Sequence, residues 1–139
     1  MTWIAPPREI RAAVNRELGD SFWSAFVARA RRALDHSAGP GQWTVTSWYR
    51  SHATNERVGG VAASQHLVGT AFDVVVPPGR SARAVAALRA EGFAYVVDEG
   101  DHIHAQQLGS TRAVAWVPRV EAIAREGVYA YRPPPRSRA

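Results

Sequence analysis

The sequence predicts an α+β fold, a small domain with a central antiparallel sheet and flanking helices. Three observations predict it. Two stretches within the first 36 residues repeat their apolar residues at helical spacing. Four later segments, Trp43 to Trp48, Ala71 to Val76, Phe93 to Val97 and His102 to Leu108, are short and rich in β-branched and aromatic residues. The last two are separated only by turn residues, as in a hairpin. At 139 residues the chain is one domain by size, read as residues 1–128 with a motif-bearing core over 43–108 and a Pro/Arg-rich tail over 129–139.

Pro6 to Leu18 reads as the first helix and Ser21 to His36 as the second, with Gly19-Asp20-Ser21 between them. Phe22, Phe26, Ala30, Ala33 and Leu34 form the apolar stripe of the second helix, and Arg29, Arg31 and Arg32 its solvated side. Ser37 to Gly41 is a turn rich in Gly and Pro, and Trp43 to Trp48 a strand. Asn55 to Val58 suggests one helical turn before Gly59-Gly60. Ala71 to Val76 is a strand stopped by Pro77-Pro78. Ser81 caps a helix that Gly92 ends. Asp98-Glu99-Gly100 joins the final two strands, and Arg119 to Arg125 suggests a last helix before the tail. No internal repeat is evident.

The chemistry-bearing residues concentrate in this sheet. Strand alternation puts Ala71, Asp73 and Val75 on one face and Phe72, Val74 and Val76 on the other. The same period puts His102, His104 and Gln106 together, opposite Ile103 and Ala105. His66 precedes Asp73 by seven residues, and Gly69 between them allows the backbone to bend His66 back towards it. Any one His or Asp is most simply a hydrogen-bonded surface or strand-edge residue. Four of the five histidines, His52, His66, His102 and His104, nevertheless fall in the segments inferred to form one cleft, whereas His36 ends a helix and needs no such role. With no Cys in the chain, a thiolate zinc site, a disulfide framework and a thiol nucleophile are excluded. Nitrogen and oxygen ligation of a catalytic-type zinc remains.

Ser64 to Asp73 reads SQHLVGTAFD and matches every fixed position of the pattern Ser-x-His-x-x-Gly-x-Ala-x-Asp. Upstream stand Ser47-Trp48-Tyr49-Arg50-Ser51, Asn55 and Val58-Gly59-Gly60; downstream stands Asp101-His102-Ile103-His104. These three motifs, in this order over Trp43 to Gln107, resemble the peptidase M15 family of zinc D,D-peptidases and peptidoglycan endopeptidases, whose core is shared with the hedgehog signalling domain. The resemblance implies a hedgehog/D,D-peptidase-like fold, zinc as cofactor, and His66, Asp73 and His104 as its ligands. It implies Arg50 as a substrate-facing group that stabilises negative charge on an oxyanion or a carboxylate. The segment from Asp101 satisfies two branches of the family at once. Asp101 matches the acidic residue three before the last ligand, the general base in those branches, and His102 matches the first histidine of the His-x-His branches. Asp101 is the expected base, with His102 a neighbour able to donate a hydrogen bond to the tetrahedral intermediate; Asp98 or Glu99, in the hairpin turn, are further candidates. Ser64, and with it Gln65, is expected to support the ligand loop. Trp48 borders the groove or belongs to the core.

The function this implies is zinc-dependent hydrolysis of peptide bonds in peptidoglycan stem peptides or cross-bridges, as a carboxypeptidase or an endopeptidase. A non-catalytic zinc-containing binding or virion module is the alternative, and a protein whose histidines only pack is a third. The formal net charge of +5, with all 17 basic residues arginine, favours anionic partners such as cell-wall polymers. No nucleic-acid-binding motif appears, and a monomer is assumed. No apolar run approaches the roughly 20 residues that span a bilayer, and the N-terminal residues lack a signal-peptide apolar region. The expectation is synthesis in the cytoplasm and action at the bacterial wall, as a phage-type lysin released by a holin or carried by a virion, or as a host cell-wall peptidase exported by another route.

Overall fold

The computed structural model describes residues 5–59 and 64–109. The helix expected at Arg119 to Arg125 and the tail over 129–139 lie outside them. Helix α1 (Arg8–Leu18) buries Ile10, Ala13 and Val14, one stripe at helical spacing, and Gly19 ends it at φ 102°. Helix α2 (Phe22–Ala38) follows and buries Phe22, Phe26, Ala30, Ala33 and Leu34. It runs two residues past the expected end because Ser37 donates its Oγ hydrogen to Ala33 O at 2.7 Å and Ala38 is itself core. Strand β1 (Thr44–Ser47) leads to α3 (His52–Arg57). That helix starts three residues before the expected turn, since Ser51 Oγ accepts from Thr54 N and caps it. Strand β2 (Ala71–Val75), helix α4 (Ser81–Ala90) and strands β3 (Tyr95–Asp98) and β4 (Ile103–Gln106) complete the domain.

The four strands form one sheet in the order β1-β2-β4-β3, every neighbouring pair antiparallel. This order, which departs from chain order, places β4 between β2 and β3 and sets Asp73 of β2 directly opposite His104 of β4. The apolar face of the sheet, with Val45, Phe72, Val74, Val96, Ile103 and Ala105, packs beneath α2 and α4. Phe26 is the hub of this core. Its ring stacks on Trp48 at 6.0 Å and meets Phe93 edge-on at 5.4 Å, while Phe72 and Phe93 form a further edge-to-face pair at 5.6 Å. Phe93 precedes β3 instead of opening it, because its side chain is committed to this cluster. Arg31 and Arg32 face solvent as expected, Arg32 pairing with Glu91. Arg29 instead turns inward, donating to Glu91 O at 3.0 Å and Gln107 Oε1 at 2.6 Å above the Phe93 ring. Burying the core frees the opposite sheet face for polar chemistry. No helix among the described residues is long and apolar enough to cross a membrane.

Candidate metal centre

Asp73 projects from the middle of β2 onto the polar face of the sheet, and its side chain is only 10 % exposed. A lone carboxylate there would be costly without partners. Its Oδ1 has His104 Nδ1 at 3.1 Å and His66 Nε2 at 3.3 Å, and its Oδ2 accepts from Arg50 Nη2 at 3.2 Å. Burial pushes the Asp73 pKa up, but hydrogen bonds from His104 and His66, and the charge on both rings, outweigh it and hold the carboxyl well below its usual range.

Each histidine is held from behind. His66 sits in a single 3-10 turn over Gln65–Val68, an element with no counterpart in the apolar periodicity of the sequence. Ser64 caps this turn, its Oγ accepting from His66 N at 3.1 Å, and Gly69 ends it at φ 78°. The His66 ring then lies with Nδ1 2.7 Å from Trp48 O. A carbonyl only accepts, so Nδ1 donates to it, and Nε2 is the ring atom left facing Asp73. Trp48 is buried, its Nε1 donating to Gly69 O at 2.5 Å, so it is core and its carbonyl serves the site. His104 presents the other nitrogen: Nε2 is 2.7 Å from Gln106 Oε1, leaving Nδ1 to face Asp73. Burial alone would lower the His104 pKa; the hydrogen bonds to Asp73 and Gln106 override it and raise the value above its ordinary one.

One ligand atom from each of His66, Asp73 and His104 lies within 4.8 Å of the others. Two imidazole nitrogens, whose protons a metal would replace, and an ionised carboxylate are the donor set of a catalytic zinc, and each ligand has the second hydrogen-bonded partner that such sites require. The donor set fits zinc.

The remaining expected residues gather around this centre at different distances. Arg50 is half-buried beside Asp73. Its Nε donates to Ser47 Oγ at 3.3 Å and its Nη1 to Asn55 Oδ1 at 3.2 Å, which leaves a second N–H on each terminal nitrogen. His102 points Nε2 towards the centre, 3.8 Å from Asp73 Oδ1 and 3.0 Å from Glu99 Oε1. Its Nδ1 is 2.6 Å from Asp101 Oδ1. Burial lowers the His102 pKa, but the hydrogen bond to Asp101 and the charges of Asp73, Asp101 and Glu99 leave it raised. Asp101 itself is 89 % exposed and pairs with His102 Nδ1, whereas Glu99 stands beside Nε2 of the same ring. Asp98 caps the hairpin, accepting from Gly100 N at 2.9 Å. A recess of about 40 Å³ opens beside His102, lined by Val75, Ser81, Asp98 and Asp101 among others. The His52 side chain lies outside the description. Sequence reasoning missed Gln106 as the partner of His104, although the His-x-Gln spacing on one strand face carries that signal.

A family model described as Peptidase M15 matches residues 25–106, a span from α2 to the end of β4 that includes every residue of this centre. No curated protein and no solved structure matches the chain.

Proposed function

The chain belongs to the peptidase M15 family, its His66–Asp73–His104 centre is a zinc-type metallopeptidase site, and we propose that it hydrolyses peptide bonds in bacterial peptidoglycan stem peptides or cross-bridges. The observation that carries the reading is the convergence of three ligand atoms whose supporting partners already fix which atom faces the metal. Bound zinc would supply Lewis acidity, polarising the scissile carbonyl and making water acidic. The chain supplies the rest.

In this proposal His102 Nε2 takes the proton from the attacking water and returns it to the leaving amine. Asp101 acts through His102: a carboxylate on Nδ1–H orients the ring and favours its protonated form. That arrangement supports Asp101 as a partner of the base over Asp101 as the base itself. Glu99, 3.0 Å from Nε2, contributes negative charge on the same side. Arg50 pairs with Asp73 Oδ2 through one N–H and directs its two remaining N–H groups to a substrate carboxylate or the developing oxyanion. The bacterial wall is then the place of action, reached from inside a lysing cell or from a virion.

The test is incubation of purified peptidoglycan with zinc-loaded and metal-stripped protein, with mass spectrometry of the released fragments. Zinc-dependent release of new amino and carboxyl termini is expected, and the fragments identify the bond. His102→Ala should lower kcat by about 100-fold or more, and Asp101→Asn by less. A larger loss in Asp101→Asn than in His102→Ala would make Asp101 the direct base. Stoichiometric zinc without any cleavage would instead mark a binding or structural module.

A further inference from the structure

Behind the metal centre, both ligand segments converge on one backbone carbonyl. Leu108 O accepts from Gln65 Nε2 at 2.8 Å and from Gln106 Nε2 at 2.9 Å. Gln65 is the residue before ligand His66, and Gln106 lies two beyond ligand His104. Both amides are buried, at 3 % and 8 % exposure. The Gln65 amide is fixed at its other end too, its Oε1 accepting from Thr70 Oγ1 at 2.9 Å and Leu108 N at 3.3 Å. Backbone bonds tie the same strands together, Gln107 N to Thr70 O at 2.8 Å and Thr70 N to Gln65 O at 3.0 Å.

A backbone carbonyl cannot donate, so its direction decides everything attached to it. The end of the Gln106 side chain that faces Leu108 O must be the amide nitrogen, because a flipped amide would set two oxygens against each other. Gln106 Oε1 therefore faces His104 Nε2, at 2.7 Å. An oxygen there requires a hydrogen on Nε2, and the neutral ring is left with its lone pair on Nδ1, the atom beside Asp73. His66 receives the equivalent instruction directly, from Trp48 O. The two rings thus present opposite nitrogens to the same carboxylate oxygen.

Resting on the metal-site reading above, we propose that Gln106 is a positioning residue: it relays the direction of the Leu108 carbonyl to His104, so that His104 meets the metal through Nδ1. It touches no substrate. Its effect is exerted on metal capture and on the geometry of the loaded centre, with the fold of the metal-free protein left to the strands and to Gln65.

Nitrogen-15 spectra of the zinc-loaded full chain test the assignment without any variant. His104 should show a metal-bound Nδ1 and a protonated Nε2, and His66 the reverse; a metal-bound His104 Nε2 overturns the proposal. Gln106→Leu should weaken zinc binding by about 10- to 100-fold and change the visible spectrum of the cobalt-substituted centre. Gln106→Glu keeps an acceptor oxygen on His104 but sets its second oxygen against Leu108 O, so it should recover only part of the affinity. A zinc Kd for Gln106→Leu within about twofold of the parent overturns the relay while leaving the metal site intact. Zinc content unchanged by His66→Ala, or absent in the parent protein, would overturn both.

Discussion

Asp73 divides its two oxygens between two tasks, Oδ1 towards the histidines and Oδ2 towards Arg50. Its depressed pKa keeps it ionised wherever the protein is folded under mild conditions, so the pH response of the centre belongs to the imidazoles. His104 and His102 both titrate above the ordinary value of about 6.5. A histidine whose pKa is raised on folding contributes stability that is fully present below the unfolded value and lost as pH rises through the folded one. Zinc responds with the opposite sign, because it must displace a proton from His104. As pH falls from about 8 to about 6, the Tm of metal-free protein should rise while zinc affinity weakens. Below about pH 4, metal-free stability should fall instead, as Asp73 loses its ionised advantage. Calorimetry of the metal-free chain beside zinc titrations over that range checks both signs. A metal-free Tm that stays flat or drops on mild acidification sinks the argument.

At the scale of the element, the 3-10 turn over Gln65–Val68 does most to place the site, and its hinge is Gly69. The backbone there has φ 78°, and a Cβ would lie 2.5 Å from Pro6 Cγ and 3.3 Å from the Trp23 ring. Gly69→Ala combines left-handed strain with a clash and should destabilise by about 2–4 kcal/mol. Gly79, at φ 83° with open space around it, separates the two causes: Gly79→Ala carries strain alone, about 1 kcal/mol. Equal losses in chemical denaturation would show that the close approach of Pro6 and Trp23 to the turn is irrelevant. This turn also marks where the sequence stops being readable. The alternation in Ala71 to Val76 and His102 to Leu108 exposed both the core face and the face bearing Asp73, His104 and Gln106, because a strand's period is a local property. The 3-10 turn has no such period: it exists because Ser64 caps it and Leu108, 43 residues on from Gln65, holds it. The pairing of Asp101 with His102 was illegible for a related reason. Both residues precede β4, where alternation does not bind, and the partnership is set by the hairpin turn that brings Glu99 and Asp101 to opposite ring nitrogens.

At the scale of the molecule, charge and chemistry occupy different parts of the chain. Residues 110–139 contain six arginines and two glutamates, so four of the five net positive charges lie beyond β4. Residues 129–139 alone carry Arg132, Arg136 and Arg138 with no acidic residue. A substrate as large and anionic as cell wall would feel that charge at long range, whereas a short peptide in the metal centre would not. Ending the chain at residue 128 should therefore lower adsorption to whole peptidoglycan sacculi several-fold at low ionic strength and leave turnover of a small soluble peptide fragment unchanged. The difference should vanish as salt shortens the screening length from about 30 Å at 0.01 M to about 3 Å at 1 M. Sedimentation of protein with sacculi across a salt series, beside fragment kinetics, measures both arms. Equal adsorption of the two chains at low salt would move wall attraction to the catalytic domain, where the exposed arginines of α2 and α4 would be the next surface to neutralise.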